Sequence, residues 1–135
     1  MKLAVQVVSF PLLLVLAFVV NAYASQYFAG YLFPRVAPRP YAEMISAAVV
    51  GALTASAVVA WPLVRLYSQR AWMAGLAVAA PVVAIRVDDL LHYARTNETR
   101  IIVMSWVEAI AYPIAILAGV WLLYRCADTS GAGAK

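Results

Sequence analysis

Charge is what this sequence has least of. Only 12% of its residues are Asp, Glu, Lys or Arg, and 66% are hydrophobic, where soluble domains carry about 25% charged and about 45–50% apolar residues. A water-soluble globule could not cover its surface with so few charges, so that class is excluded. Cysteine is nearly absent as well. Cys126 stands alone, which excludes an intrachain disulfide, a C-x-x-C redox pair and a thiolate metal cage. The single histidine, His92, cannot supply the axial pair of a b-type haem within one chain, and no cofactor or metal is expected. The glycines, at 30, 51, 75, 119, 131 and 133, form no phosphate-cradling loop, and neither an H-E-x-x-H motif nor a nucleophile elbow is present. Nothing marks an enzyme. The formal charge of +4 is scattered along the chain and makes no basic stripe, so nucleic acid is not an expected partner.

What the chain has instead is length of apolar run. A hydrocarbon core of about 30 Å needs roughly 20 residues of helix to cross it, and residues 4–24, 44–66, 71–93 and 101–124 each meet that requirement. The runs are continuously apolar, whereas a membrane barrel strand would alternate. The fold class predicted is therefore an all-α integral membrane protein, a bundle of four transmembrane helices within one domain over 1–127. The short connections at 68–70 and 94–100 make helices 2–3 and 3–4 antiparallel hairpins. Residues 128–135 read as a disordered tail.

The connection over 25–43 is the one long loop. Pro34, Pro38 and Pro40 keep it from forming one regular helix, and Tyr27, Phe28, Tyr31, Phe33 and Tyr41 suit it to the headgroup zone as a membrane-hugging linker. Ala22-Tyr23-Ala24 would serve a signal peptidase. The length of the first run favours its retention as a helix. Lys2, Arg65, Arg70, Arg125 and Lys135 fall on one side of the membrane, against Arg35, Arg39, Arg95 and Arg100 on the other. That small bias gives both termini to the cytoplasm, in a cell membrane read as a bacterial inner membrane. In format the chain is similar to the small multidrug-resistance transporters, which carry an essential acid in their first helix. The first helix here contains none, so the similarity ends at architecture and no family is assigned.

Ionisable side chains at the bilayer centre cost roughly 2.5–3.5 kcal/mol each on insertion scales, so they mark sites. The third helix carries Arg86, Asp88, Asp89 and His92, and the fourth carries Glu108. At 100° per residue the four on the third helix share one side, and the spacings Arg86/Asp89 and Asp88/His92 let each pair close along the helix. Arg86 lies seven residues before the expected end of its helix, and Glu108 seven after the start of the next. In an antiparallel hairpin the two meet at one depth, about 10 Å in. The same count puts Pro81 level with Pro113. Glu108 begins a row of small residues, Ala111, Ala115 and Gly119, and the second helix carries Ala47-Gly51-Ala55 and Ala48-Ala52-Ser56-Ala60. Gly51, Ala55, Ala111, Ala115 and Gly119 are thus expected at helix contacts.

Two functions accommodate this pattern. The first is an accessory subunit that binds a larger membrane protein through small-residue faces and the charged cluster. The alternative is a minimal homo-oligomeric transporter or channel coupled to protons or cations. There Glu108 would be the acceptor, Arg86 its counter-charge, and Asp89 and His92 the relay to water.

Overall fold

The computed structural model describes residues 2–32, 41–95 and 98–132. These are all-helical, with no strand among them: α1 (Lys2–Leu32), α2 (Tyr41–Tyr67), a 3-10 turn (Ser68–Arg70), α3 (Ala71–Tyr93) and α4 (Thr99–Ala132). Three stretches are long and apolar enough to cross a membrane, Ala4–Ala29, Tyr41–Tyr93 and Thr99–Cys126. The middle one, 53 residues, is α2 and α3 together. The chain reverses between them. A Cβ built on Gly75 would lie 4.0 Å from Leu63 Cδ1, although twelve residues of continuous helix would hold the two about 18 Å apart. Ser68, at φ 47°, makes the reversal in a left-handed conformation.

Side-chain contacts set the directions. Gln6 reaches Leu66, and Ser25 lies against Gly51, so α1 and α2 are antiparallel. Ser56 bonds the carbonyl of Ala115 and Arg100 covers the Tyr41 ring, so α2 and α4 are parallel. Gly75 packs on Ile116 while Arg86 meets Glu108, so α3 and α4 are antiparallel. Around the bundle the order is α1, α2, α4, α3, closed by a thin α1–α3 seam. The hairpin of helices 2 and 3 is antiparallel as its short turn requires, yet α2 packs only sparsely on α3 and broadly on α1 and α4.

The reason lies in the two rows of small residues on α2. Gly51 faces α1, where an added Cβ would overlap Ser25 Oγ and sit 2.8 Å from the Asn21 carbonyl oxygen. Ser56 and Ala60 face α4, where a Cβ on Gly119 would overlap Ser56 Oγ and come within 3.1 Å of Ala60. Ala47, Ala48, Ala52 and Ala55 are buried between. Helices that approach this closely gain dispersion contacts and hydrogen bonds, the forces that remain when lipid is as apolar as the side chains. The Ser56 hydroxyl donates to Ala115 O at 2.6 Å. Larger side chains fill the rest of the core, chiefly Leu63, Val59, Val78, Tyr112, Ile116 and Val120. At the far end Gln6 Nε2 donates to Leu66 O at 2.6 Å, satisfying a carbonyl at the end of α2, and the Tyr67 hydroxyl donates to Gln6 O at 2.7 Å.

Several boundaries differ from the sequence expectation, among them the start of α2, which takes in residues 41–43 of the expected linker. Residues 25–32, expected within the linker, continue α1, because no proline intervenes before Pro34 and Tyr27 stacks on Tyr31 with ring centroids 5.4 Å apart. Residues 128–132, expected as tail, continue α4. The three linker prolines, Asn97 and residues 133–135 lie outside the described residues. Each helix also contains one proline, Pro11, Pro62, Pro81 and Pro113, and none of them ends its helix.

Two substitutions test this packing. Gly51→Leu is expected to lower stability by about 1–3 kcal/mol through forced separation of α1 from α2, read as a lower melting temperature in detergent, with a smaller loss for Gly75→Ala. Tyr112 is 1% exposed and its hydroxyl has no partner among the described residues, so Tyr112→Phe is expected to raise stability by about 1 kcal/mol.

Candidate functional site

Arg86 is the centre of the site. Its Nε donates to Glu108 Oε2 at 2.5 Å across the α3–α4 interface, and its Nη1 donates to Asp89 Oδ2 at 2.8 Å one turn along α3. Both contacts use the geometry of the guanidinium, whose planar donors can serve two carboxylates at once. Glu108 is the least exposed of the three, its side chain retaining 11% of its accessible surface, against 26% for Asp89 and 34% for Arg86. α3 ends at Tyr93 and α4 begins at Thr99. The pair therefore lies about 10 Å from the end of one helix and about 13 Å from the start of the other. One guanidinium against two carboxylates leaves the cluster with a formal charge of −1 within segments apolar enough to cross a membrane.

A cavity of about 340 Å³ opens beside this cluster, in the seam where α1 and α3 pack thinly. Arg86 and Glu108 form one wall. The facing wall is α1, which contributes Phe18, Asn21, Ser25 and Gln26. Asn21 is 8% exposed, and Ser25 donates to the Asn21 carbonyl at 2.8 Å. The volume is enough for about ten waters at liquid density. Amide, hydroxyl and charged groups stand in these walls among the apolar Phe18, Ala22, Val82 and Ile85, so polar partners for water are present beside Glu108.

The remaining sequence candidates divide. Asp88 and His92 are exposed, and with Leu91 and Arg95 they edge a shallow depression on the outer face of α3. The Asp88–His92 pair that their spacing allows does not form among the described residues. His92 instead meets Tyr93 edge-on, with ring centroids 5.1 Å apart. Of the relay expected from the sequence, Asp89 is joined to Arg86 and His92 is not. Ala111, Ala115 and Gly119 begin one turn beyond Glu108, with Ala115 and Gly119 against α2; Gly51 and Ala55 are buried on α2. No group of three or more His, Cys, Asp and Glu capable of holding a metal occurs among the described residues.

Sequence reasoning missed the α1 wall. Asn21, Ser25 and Gln26 are uncharged, and a polar side chain near the end of an apolar run reads as an interfacial residue until its neighbours are known. Their spacing of four and five residues was the available signal, since it places all three on one side of a helix. Glu43 was also missed. Assigned to the linker, it is 2% exposed in the first turn of α2, where the helix dipole favours an acid.

If Arg86 neutralises both acids, removing it alone should cost more than removing it together with an acid. Arg86→Ala is expected to be less stable than Arg86→Met combined with Glu108→Gln by about 1–2 kcal/mol, measured by thermal unfolding in detergent. Equal stabilities would show that the ion pair contributes nothing to the fold.

Comparison of the chain with protein-family models, with curated proteins and with solved structures gives no match.

Proposed function

We propose that this chain is an integral membrane protein of four crossings that binds and relays a monovalent cation, the proton included, through the Asp89–Arg86–Glu108 cluster and its cavity. The observation that carries this reading is the charge imbalance. Two carboxylates share one guanidinium, and the more deeply placed of them lines a cavity that also carries Asn21, Ser25 and Gln26. An ion pair that served only to fix helix pairing would need one acid. The second acid and the amide and hydroxyl groups in the cavity beside the pair are what a cation site requires.

The accessory-subunit reading draws less support. The small-residue faces it would offer to a partner are occupied within the chain, one against α1 and the other against α4. The reading of four crossings is supported by the reversal at Ser68–Arg70, which divides the 53-residue stretch in two. Catalysis is no part of this proposal. The end bearing Arg65, Arg70 and Arg125 is assigned to the cytoplasm of a bacterial inner membrane. Because the cavity lies in a seam between helices, a homo-oligomer that covers the seam would turn it into an enclosed path.

Flux in liposomes tests the proposal. The purified chain is expected to dissipate an imposed proton or potassium gradient, and Glu108→Gln to lose at least about 90% of that flux, one decade, or about 1.4 kcal/mol in barrier. Absence of flux from both proteins, with Glu108→Gln melting at a lower temperature, would make the cluster structural and return attention to a membrane partner.

A further inference from the structure

The charges of this molecule are separated along its length. Among residues whose side chains are described, the end formed by the C-terminal parts of α2 and α4 and the α2–α3 turn carries Arg65, Arg70 and Arg125, with no Asp or Glu. The opposite half holds Arg86, Arg95 and Arg100 against Glu43, Asp88, Asp89, Glu98 and Glu108. Acid and base are thus mixed at the end with the cavity, whereas the described side chains of the other end are basic alone, the sequence adding one acid there, Asp128, in the last turns of α4.

That basic end has a built geometry. The Arg65 guanidinium lies over the Trp61 ring at 5.3 Å, and that of Arg125 over Trp121 at 4.5 Å. Both are pairs four residues apart on a helix. Because α2 and α4 run parallel, with Ser56 opposite Ala115, the two stacked pairs stand at nearly one level on adjacent helices. Trp61 is 59% exposed and Trp121 52%, so both indoles face outward from the bundle. Arg65 and Arg70 are exposed and form no ion pair with a described residue.

We infer that this end is a binding surface for the headgroups of anionic phospholipids. Indole rings settle at the headgroup level of a bilayer. A guanidinium stacked on one is held at the depth of the lipid phosphates, and stacking on its face leaves the in-plane N–H edges of Arg65 available to phosphate oxygens, with Arg70 beside it. The lipid chains then run down the exposed apolar side chains below, Val58 on α2 and Ile114 on α4. The opposite end carries one such pair, Arg100 over Tyr41 at 5.6 Å, but its basic groups stand among acids, with Arg86 paired to Glu108 and Asp89 and Arg95 sharing its depression with Asp88. The inference is independent of cation transport.

The test is thermal melting of the purified full chain in neutral detergent, titrated separately with phosphatidylglycerol, phosphatidylcholine and free glycerol phosphate. Phosphatidylglycerol alone is expected to raise the melting temperature. Its half-saturating concentration should rise about thirty-fold in the Arg65→Gln/Arg70→Gln variant, taking about 1 kcal/mol for each arginine near an anionic surface. Arg95→Gln should behave as wild type. High salt should weaken the effect in the wild-type chain, which provides the reading if the double variant fails to fold. Equal stabilisation by phosphatidylcholine, no change in the double variant, or insensitivity to salt would each overturn the inference. Equal stabilisation by glycerol phosphate would also overturn it, by assigning the surface to free phosphate.

Discussion

Close approach of α2 to α1 on one face and to α4 on the other sets the remaining distances in the molecule. In lipid there is no hydrophobic gain from bringing helices together, so association depends on contacts that reach across a short gap. Gly51 allows α1 to come near enough for Ser25 and Asn21 to pack directly on the α2 backbone, and Gly119 lets the Ser56 hydroxyl find the Ala115 carbonyl. α2 is thereby the spine of the bundle. α3 is carried on α4 and reaches α1 only along a thin seam. The cavity is a consequence of that unequal packing. Three interfaces are tight, and the fourth is wide enough to hold polar side chains.

The charged pair was legible in the sequence for a physical reason. Two deep ionisable residues on consecutive helices joined by a short turn can lower their insertion cost only by meeting, and equal distances from the turn show that they can. Arg86 and Glu108 meet on this count, and Asp89 joins through its helical spacing. The ring order was not legible. Short loops indicate which helices are antiparallel, but the partner that fills a row of small residues is decided by shape, and α4 fits α2 better than α3 does. Without the ring order, α1 could not be placed across from Arg86, and its three polar residues had no context. The ends of α1 and α4 were underestimated because the expected bounds followed hydropathy. Backbone hydrogen bonding continues past the last apolar residue until a breaker intervenes.

The two ends of the bundle solve different problems. At the cavity end, charge is buried and has to be balanced by other side chains, which produces an ion cluster shared by two helices. At the basic end, charge is exposed and is held in place by aromatic rings along the same helix, with Arg65 on Trp61 and Arg125 on Trp121. The first arrangement needs the folded bundle, because Glu108 comes from a different helix. In the second each stacked pair forms within a single helix, and the packing of α2 on α4 only brings the two side by side.

The clamp between Gln6 and the end of α2 bears on how the chain enters a membrane. Gln6 and its acceptor Leu66 are 60 residues apart, an interval of about 3–12 s at a synthesis rate of about 5–20 residues per second. During that interval α1 occupies the bilayer with the Gln6 amide unmet by its eventual partner. The Tyr67 hydroxyl arrives one residue after Leu66 and takes the Gln6 carbonyl, so both halves of the clamp become available together, as α2 is completed. The first hairpin can be locked before any of α3 has emerged, and the second then assembles against a surface already fixed.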